Sequence, residues 1–271
     1  MKNLADAGIR FYLILVLVFL YVPILVMAVL AFNKSPLYAL PFEFDLVWFK
    51  ALMENDRLLK AGLNSVLIAL ANTVIATSLG TMAAVAFGRY TFRGKTMMQA
   101  LLFPPIAIPW LVIGTAMLVF FFWIGRAIGY PGIARGLHAI LLGHVALSLP
   151  YVIFVVGARL NDYPKALEEA AATLGATPWQ VFRRVSVPIL APGVVAASLF
   201  AFAVSFDQFV ISYFLAPPGV TTLPVEIYTS IRKGFTPEIN AISTIIILVS
   251  MGLMLIVARF YRFGGERSGN E

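Results

Sequence analysis

Apolar residues in this chain gather into long, nearly unbroken runs rather than the alternating pattern of half-buried strands or the one-sided stripe of soluble helices. A helix needs about 20 apolar residues to cross the hydrocarbon layer of a membrane. Six runs reach that length: Phe11–Phe32, Leu63–Phe87, Met97–Ile124, Leu137–Ala158, Ile189–Leu215 and Ile239–Tyr261. The pattern therefore predicts an all-α membrane protein with six transmembrane helices. The first run is too long for a cleaved signal peptide and has no small-x-small exit site. Between the first two runs, Leu46, Phe49, Leu52 and Met53 recur at helical spacing. They predict a short surface helix that either docks a partner or caps the bundle.

Composition agrees with a bilayer: 61% of residues are hydrophobic and 12% charged, against about 25% charged in soluble domains. With no cysteine, disulfides and thiolate metal sites are excluded. His138 and His144 do not share a helix face as an i, i+4 metal pair would, so no metal or other cofactor is expected. The net charge of +7 fits basic cytoplasmic loops better than nucleic-acid binding. Arg89, Arg93 and Lys95 follow the second run without an acid, and Arg159, Lys165, Arg183 and Arg184 follow the fourth. Lys2 and Arg10 precede the first, and Arg259, Arg262 and Arg267 lie in or after the last. The loop after the first run instead balances its bases with Glu43, Asp45, Glu54 and Asp56. The bias predicts both termini inside, with Thr91 and Thr177 inside and Asn55 and Thr222 outside. The segment Gly88–Thr96 superficially resembles a phosphate loop. It has five residues rather than four between its glycines and lies between membrane spans, so it reads as a basic turn.

The charged segment 163–188 departs from this pattern. Ala166, Leu167, Ala170, Ala171 and Leu174 favour helix. Gly175 suits the left-handed residue that ends one. Thr177-Pro178-Trp179-Gln180 then reads as a new start, with Thr177 as cap, Pro178 in the first turn and Gln180 completing a capping box. The local chemistry thus specifies helix, elbow, helix, with Pro188 marking entry into the fifth span. Glu169-Ala170-Ala171, three residues, Gly175, nine residues, Val185-Ser186-Val187-Pro188 resembles the E-A-A…G…I-x-L-P loop of ABC-importer permeases. Val185 and Val187 depart from that pattern but remain apolar. Arg89–Lys95, Ser205-Phe206-Asp207, Leu223–Tyr228 and Thr236–Ala241 extend the resemblance to the second permease of spermidine/putrescine importers, over most of the chain.

The resemblance implies the type I ABC-importer permease fold, with N-terminus and C-terminus inside, in a bacterial inner membrane. It divides the chain into a first transmembrane helix and outer loop (1–60), a core permease domain (61–262) containing the coupling loop, and a cytoplasmic tail (263–271). It implies a transport subunit with no catalytic residue of its own. Its expected partners are a second, homologous permease, two cytoplasmic ATPase subunits, an extracytoplasmic substrate-binding protein and membrane lipid, with no nucleic acid. Glu169, Ala170, Ala171, Gly175, Ala176, Thr177, Pro178, Phe182 and Pro188 are the implied ATPase-coupling residues.

A separate argument points to the substrate. Asp207 alone among the 13 acidic residues lies well inside a predicted span, where a carboxylate costs about 2.5–3.5 kcal/mol on insertion scales. It either faces a cavity that carries a cation or is a structural group bonded to a neighbour. Pro104, Pro105 and Pro109 interrupt the third span, and freed backbone can line a cavity or simply pack. Trp110, which follows them, and Tyr213 are candidate aromatic faces for an amine. The expected cargo is a polyamine. The alternatives are another small solute carried by the same machinery, such as an amino-acid derivative, opine or aminophosphonate, and an ion-coupled secondary transporter. The last is disfavoured because no internal repeat is visible.

Overall fold

The computed structural model describes residues 2–36, 41–234 and 236–265, with side chains described from Gly8 to Gly252 within those ranges. The described elements run α1 (Lys2–Leu30), α2 (Val47–Glu54), α3 (Asp56–Arg89), α4 (Lys95–Ala100), α5 (Pro104–Ala107), α6 (Trp110–Ala127), a 3-10 turn (Pro131–Ala134), α7 (Leu137–Asn161), α8 (Ala166–Thr173), α9 (Pro178–Val181), a π-helical turn (Phe182–Ser186), α10 (Val187–Phe206), α11 (Val210–Leu215), α12 (Leu223–Lys233) and α13 (Glu238–Gly265). Five stretches are long and apolar enough to cross a membrane: Gly8–Leu30, Asp56–Arg89, Trp110–Ala127, Leu137–Asn161 and Pro178–Phe206. At the sixth expected span, described side chains from Glu238 to Gly252 give a shorter apolar stretch, while the helical backbone continues to Gly265. The end of the expected tail, residues 266–271, lies outside the described residues.

Contacts divide the chain into two units, Met1–Leu59 with Ile227–Glu271, and Lys60–Glu226. In the first unit, the expected surface helix is present as α2. Leu52 is buried, but Met53 is exposed, so the apolar stripe is narrower than its spacing suggests. The segment before it is tied down by the Trp48 indole, which donates to the Asn33 carbonyl at 2.7 Å, and by Phe32, which packs on Phe44 and Phe49. The Asn55 amide donates to Glu238 at 3.3 Å.

The second unit is built around α7. Helices in an apolar medium associate through close packing, which small residues permit. On α10 the buried positions Gly193, Ala197, Ala201 and Ser205 recur every fourth residue, giving one smooth face toward α7. On α3, Ala76, Gly80 and Ala84 do the same. A Cβ at Gly80 would lie 2.5 Å from Val152 Cγ1, and one at Gly193 would lie 2.8 Å from Arg159 Cβ. Both helices therefore press their backbones against α7. Ala76, Ala84, Val145, Val152, Ile153, Val156, Ala197 and Ala201 form the resulting core.

Two polar crosslinks run through this core. The Asn72 amide donates to Ser148 Oγ and to the Ala201 carbonyl, each at 3.0 Å, joining α3, α7 and α10 at one level. His144 bonds Ser205 Oγ through Nδ1 at 2.8 Å and Ser212 Oγ through Nε2 at 3.0 Å. It thereby holds α10 and α11 to α7.

Two predicted spans are corrected. Met97–Ile124 is not one helix: Pro104, Pro105 and Pro109 lack the N–H groups a continuous helix requires. The chain instead makes the short α4 and α5, and only α6 is long enough to cross. Ile189–Leu215 is also divided. Its helix begins upstream, at Pro178, and stops at Phe206, and α11 starts anew at Val210. Thr222, expected at an accessible outer position, is 2% exposed.

The packing predicts a large difference between the two histidines. His144→Phe keeps a ring but leaves two buried serine hydroxyls without their partner, a loss of about 1–3 kcal/mol. The purified importer in detergent should show a lower thermal unfolding midpoint with His144→Phe, and little change with the exposed His138→Phe. Equal midpoints would contradict the crosslink.

A candidate coupling elbow and the broken fifth span

The segment Ala166–Ser186 folds as two short helices meeting at a turn. The turn is Gly175, at φ +86°, a left-handed conformation that a side chain disfavours. Its N–H closes on the Ala172 carbonyl at 2.9 Å, and the Ala176 N–H on that of Ala171 at 3.1 Å. The capping box is complete. The Gln180 N–H donates to Thr177 Oγ1 at 3.4 Å, and the Thr177 N–H donates to Gln180 Oε1 at 2.8 Å. Pro178 occupies the first turn of α9. Gly175, Ala176, Thr177 and Pro178 together form the elbow's corner.

Pro188 lies in the first turn of α10, as expected for entry into the fifth span, but the helix is already running from Pro178. Val187 N–H donates to the Phe182 carbonyl, an i to i−5 bond that makes the stretch π-helical. Pro188 has no N–H and its ring would crowd the carbonyl four residues back. The wider π turn relieves that crowding and adds one residue to the helix. The elbow's second arm and the fifth span are therefore one continuous rod from Pro178 to Phe206.

The first arm, α8, presents two faces. Glu168 and Ala171, three residues apart, turn inward and are half-buried, while Glu169 and Ala170 are exposed. Glu169 pairs with Lys165 one turn away at 3.5 Å, both side chains 64% exposed. An exposed pair of this kind contributes less than about 1 kcal/mol. The residue that braces the elbow is Glu168. Its Oε1 accepts from Arg89 Nε at 3.2 Å and from Ser186 Oγ at 3.1 Å. Arg89 also donates through Nη2 to the Tyr163 carbonyl at 3.3 Å and stacks 4.8 Å above the Tyr163 ring. Beneath them Leu160, Tyr163 and Leu190 form a small apolar cluster. On the outer side, Leu167, Leu174, Trp179 and Phe182 are exposed, Leu174 at 89%, and the Trp179 and Phe182 rings stack 5.6 Å apart.

Sequence reasoning missed Arg89, Glu168 and Ser186 as a group. Arg89 counted as a basic loop residue and as part of a family-like turn, and Glu168 stands beside the acidic residue of the recognised pattern. The available signal was helical rotation: about 100° per residue separates the two glutamates, so only one can face inward.

At the far end of α10, Asp207 closes the helix, its N–H donating to the Ala203 carbonyl at 3.1 Å. It is not embedded in a continuous span but stands at the break before α11, with an exposed side chain. Gln208, 2% exposed, points inward and its Oε1 accepts the Val210 N–H at 3.1 Å, supplying a partner at the start of α11. His144 holds Ser205 and Ser212 on either side of the break. Tyr213, exposed on α11, packs on Phe209 and Phe214. Trp110, exposed at the start of α6, lies one turn before Gly114, where a Cβ would be 3.0 Å from Phe214. Trp110 and Tyr213 thus sit on two helices in direct contact, and Asp207 opens the break that precedes α11.

Comparison with known proteins agrees with this architecture. Residues 76–267 match the family model described as binding-protein-dependent transport system inner membrane component. The chain is 35% identical over 256 residues to the putrescine transport system permease protein PotI of Escherichia coli K12, covering 94% of this chain and 90% of that protein. It is 34% identical over 246 residues to the spermidine/putrescine transport system permease protein PotC of Haemophilus influenzae, covering 90% and 93%. Among solved structures, it is similar to a chain of a bacterial alginate ABC transporter in complex with its alginate-bound periplasmic protein, with a TM-score of 0.74, 18% identity and coverage of 96% and 94%. A chain of the MetNI methionine ABC transporter aligns with a TM-score of 0.57 and 20% identity, covering 77% and 98%. The chain belongs to the binding-protein-dependent transport system inner membrane component family and is a permease subunit of a bacterial inner-membrane ABC importer, with no enzymatic activity of its own.

Proposed function

We propose that this permease forms half of the pathway for a small organic cation, a polyamine such as putrescine or spermidine. In this reading it pairs with a second, homologous permease, receives substrate from an extracytoplasmic binding protein and is driven by two cytoplasmic ATPase subunits. Both termini and the elbow lie in the cytoplasm. The observation that carries the substrate reading is Asp207: an exposed carboxylate at a helix break, on a chain whose relatives are named for putrescine and spermidine transport. From Val187 to Phe206, α10 has 20 residues, about 30 Å at about 1.5 Å each. With the elbow inside, Asp207 then stands in the outer half of the membrane, where substrate arrives. Trp110 and Tyr213 offer aromatic faces to an ammonium group. A second reading keeps the machinery and changes the cargo. A Mycobacterium bovis relative, 32% identical over 235 residues, is named as a molybdenum transport system permease, so this permease family is not confined to amines.

The elbow is the ATPase-docking element in this reading. Leu174, Trp179 and Phe182 form an exposed apolar knob that a partner's groove would cover. Glu169, at the surface beside Ala170, makes polar contact with that partner. Ala171, Gly175, Ala176, Thr177, Pro178 and Pro188 shape the knob and its join to α10.

Three measurements test these assignments. Single cysteines can be introduced into this cysteine-free chain. In sealed cells, Glu54→Cys should react with an impermeant maleimide, while Thr91→Cys and Leu174→Cys should stay protected; outside labelling of Leu174→Cys would refute the orientation. Gly175→Val has room, since nothing lies within 4 Å of a Cβ there, but it must hold a β-branched residue at positive φ, at about 1–3 kcal/mol. At normal abundance in the membrane, that variant should lose ATP-driven uptake; wild-type uptake would show that the corner is not the coupling element. Asp207→Asn removes charge and keeps shape. In proteoliposomes holding the complete importer, it should lower putrescine uptake by about tenfold, equivalent to about 1.4 kcal/mol, without changing the binding protein's affinity. Unchanged uptake would remove Asp207 from the pathway.

A further inference from the structure

The coupling elbow is fastened at its base by one carboxylate shared between two membrane helices. Glu168 Oε1 accepts from Arg89, the last residue of α3, and from Ser186, in the π turn at the foot of α10. The site is sheltered. The Arg89 and Glu168 side chains are 14% and 20% exposed, against 64% for both members of the neighbouring Lys165–Glu169 pair, and Ser186 is buried. Arg89 is also held by the Tyr163 carbonyl and ring. A Cβ at Gly88 would run into the Leu160 side chain, so α3 and α7 pack closely at this level.

We propose that Arg89, Glu168 and Ser186 form a transmission clamp that makes the elbow move as one body with α3 and α10, and so sets how much solute is moved per ATP hydrolysed. The inference rests on the elbow being the ATPase-docking element. The second arm needs no clamp, because it is continuous with α10 through the π turn. The first arm is different. It joins α7 through the linker Asp162–Lys165, and its described side-chain hydrogen bonds to other elements run through Glu168. Without that carboxylate, a push on the knob rotates α8 about Gly175 and is spent locally. With it, the push reaches α3 through Arg89 and the foot of α10 through Ser186. These are positioning residues, since none of them is placed against substrate or ATPase.

The test uses the complete importer in proteoliposomes, with substrate-loaded binding protein, and measures ATP hydrolysis and putrescine uptake on the same preparation. Arg89→Gln and Glu168→Gln should assemble and keep stimulated hydrolysis, while uptake per ATP falls by about fivefold or more, within the usual range of coupling between sites. The double variant should be no worse than either single one, because both break the same bond. Arg89→Lys, which keeps the charge opposite Glu168, should recover most of the ratio. Ser186→Ala, which removes one hydroxyl and no charge, should lower it by less, and it serves where a charge-removing variant fails to assemble. The clamp is overturned if uptake and hydrolysis fall in proportion, if the two single losses multiply in the double variant, or if Ser186→Ala and Arg89→Gln leave the ratio unchanged. Gly175→Val separates the two levels. If it uncouples the importer while Arg89→Gln does not, the clamp falls and the elbow stands. If neither has any effect, the docking role of the elbow falls first.

Discussion

Backbone polar groups inside an apolar layer have no water to bond, so any departure from continuous helix there has to be answered by another protein group. This chain departs from continuous helix at several points, and described side chains meet several of them. Gln208 accepts the Val210 N–H at the start of α11. Ser65 accepts the Leu223 N–H at 2.8 Å, and Asn64 donates to the Thr221 carbonyl at 3.0 Å. Where α10 is still continuous, Asn72 donates to the Ala201 carbonyl, and His144 ties the two sides of the break through serine hydroxyls rather than backbone groups. These groups let an otherwise greasy bundle contain a broken helix. The break in turn leaves the carboxylate of Asp207 just past the end of the continuous apolar helix, which stops at Phe206.

The same constraint explains what the sequence could and could not reveal. Hydropathy located the five long apolar helices, though not the limits of the third and fifth, because length and apolarity are properties of a contiguous stretch. The corner of the elbow was equally legible. Gly175 and the Thr177–Gln180 capping box act over three or four residues, and their chemistry admits few other conformations. The prolines of the third span announced an interruption but not its extent. Pro188 announced one that takes the form of a π turn instead of a helix start, because a widened turn absorbs the missing donor without ending the helix.

Long-range partners were not legible in this way. For His144 the sequence spoke only against a metal pair with His138, and only the fold brings Ser205 and Ser212 to its two ring nitrogens. Glu168 and Glu169 are adjacent and chemically alike, yet one is half-buried against Arg89 and the other lies in solvent beside Lys165. Rotation along α8 separates their faces, but which face turns inward depends on where α3 ends. The break at Asp207 also left no propensity signal, since Phe206-Asp207-Gln208-Phe209 contains neither glycine nor proline. Its geometry comes from tertiary bonds made by the neighbouring side chains.

The stripe of small residues on α10 connects these regions mechanically. Gly193, Ala197, Ala201 and Ser205 lie against α7 along nearly the whole helix, and beside them the Phe200 ring packs on Tyr151 of α7 at 5.1 Å. Helices that meet through such faces approach closely and are held by many weak contacts. Directional bonds fasten α10 at both ends and, between them, at Ala201, whose carbonyl accepts from Asn72. At one end, Ser186 meets Glu168 and the Arg159 Nε donates to the Ile189 carbonyl at 3.3 Å; at the other, Ser205 meets His144. A continuous helix bonded at both ends is suited to carry a displacement along its length, because its turns are held together by their own backbone bonds. Its continuity through the π turn into the elbow, and its ending beside Asp207, place the two candidate functional regions on a single element of the fold.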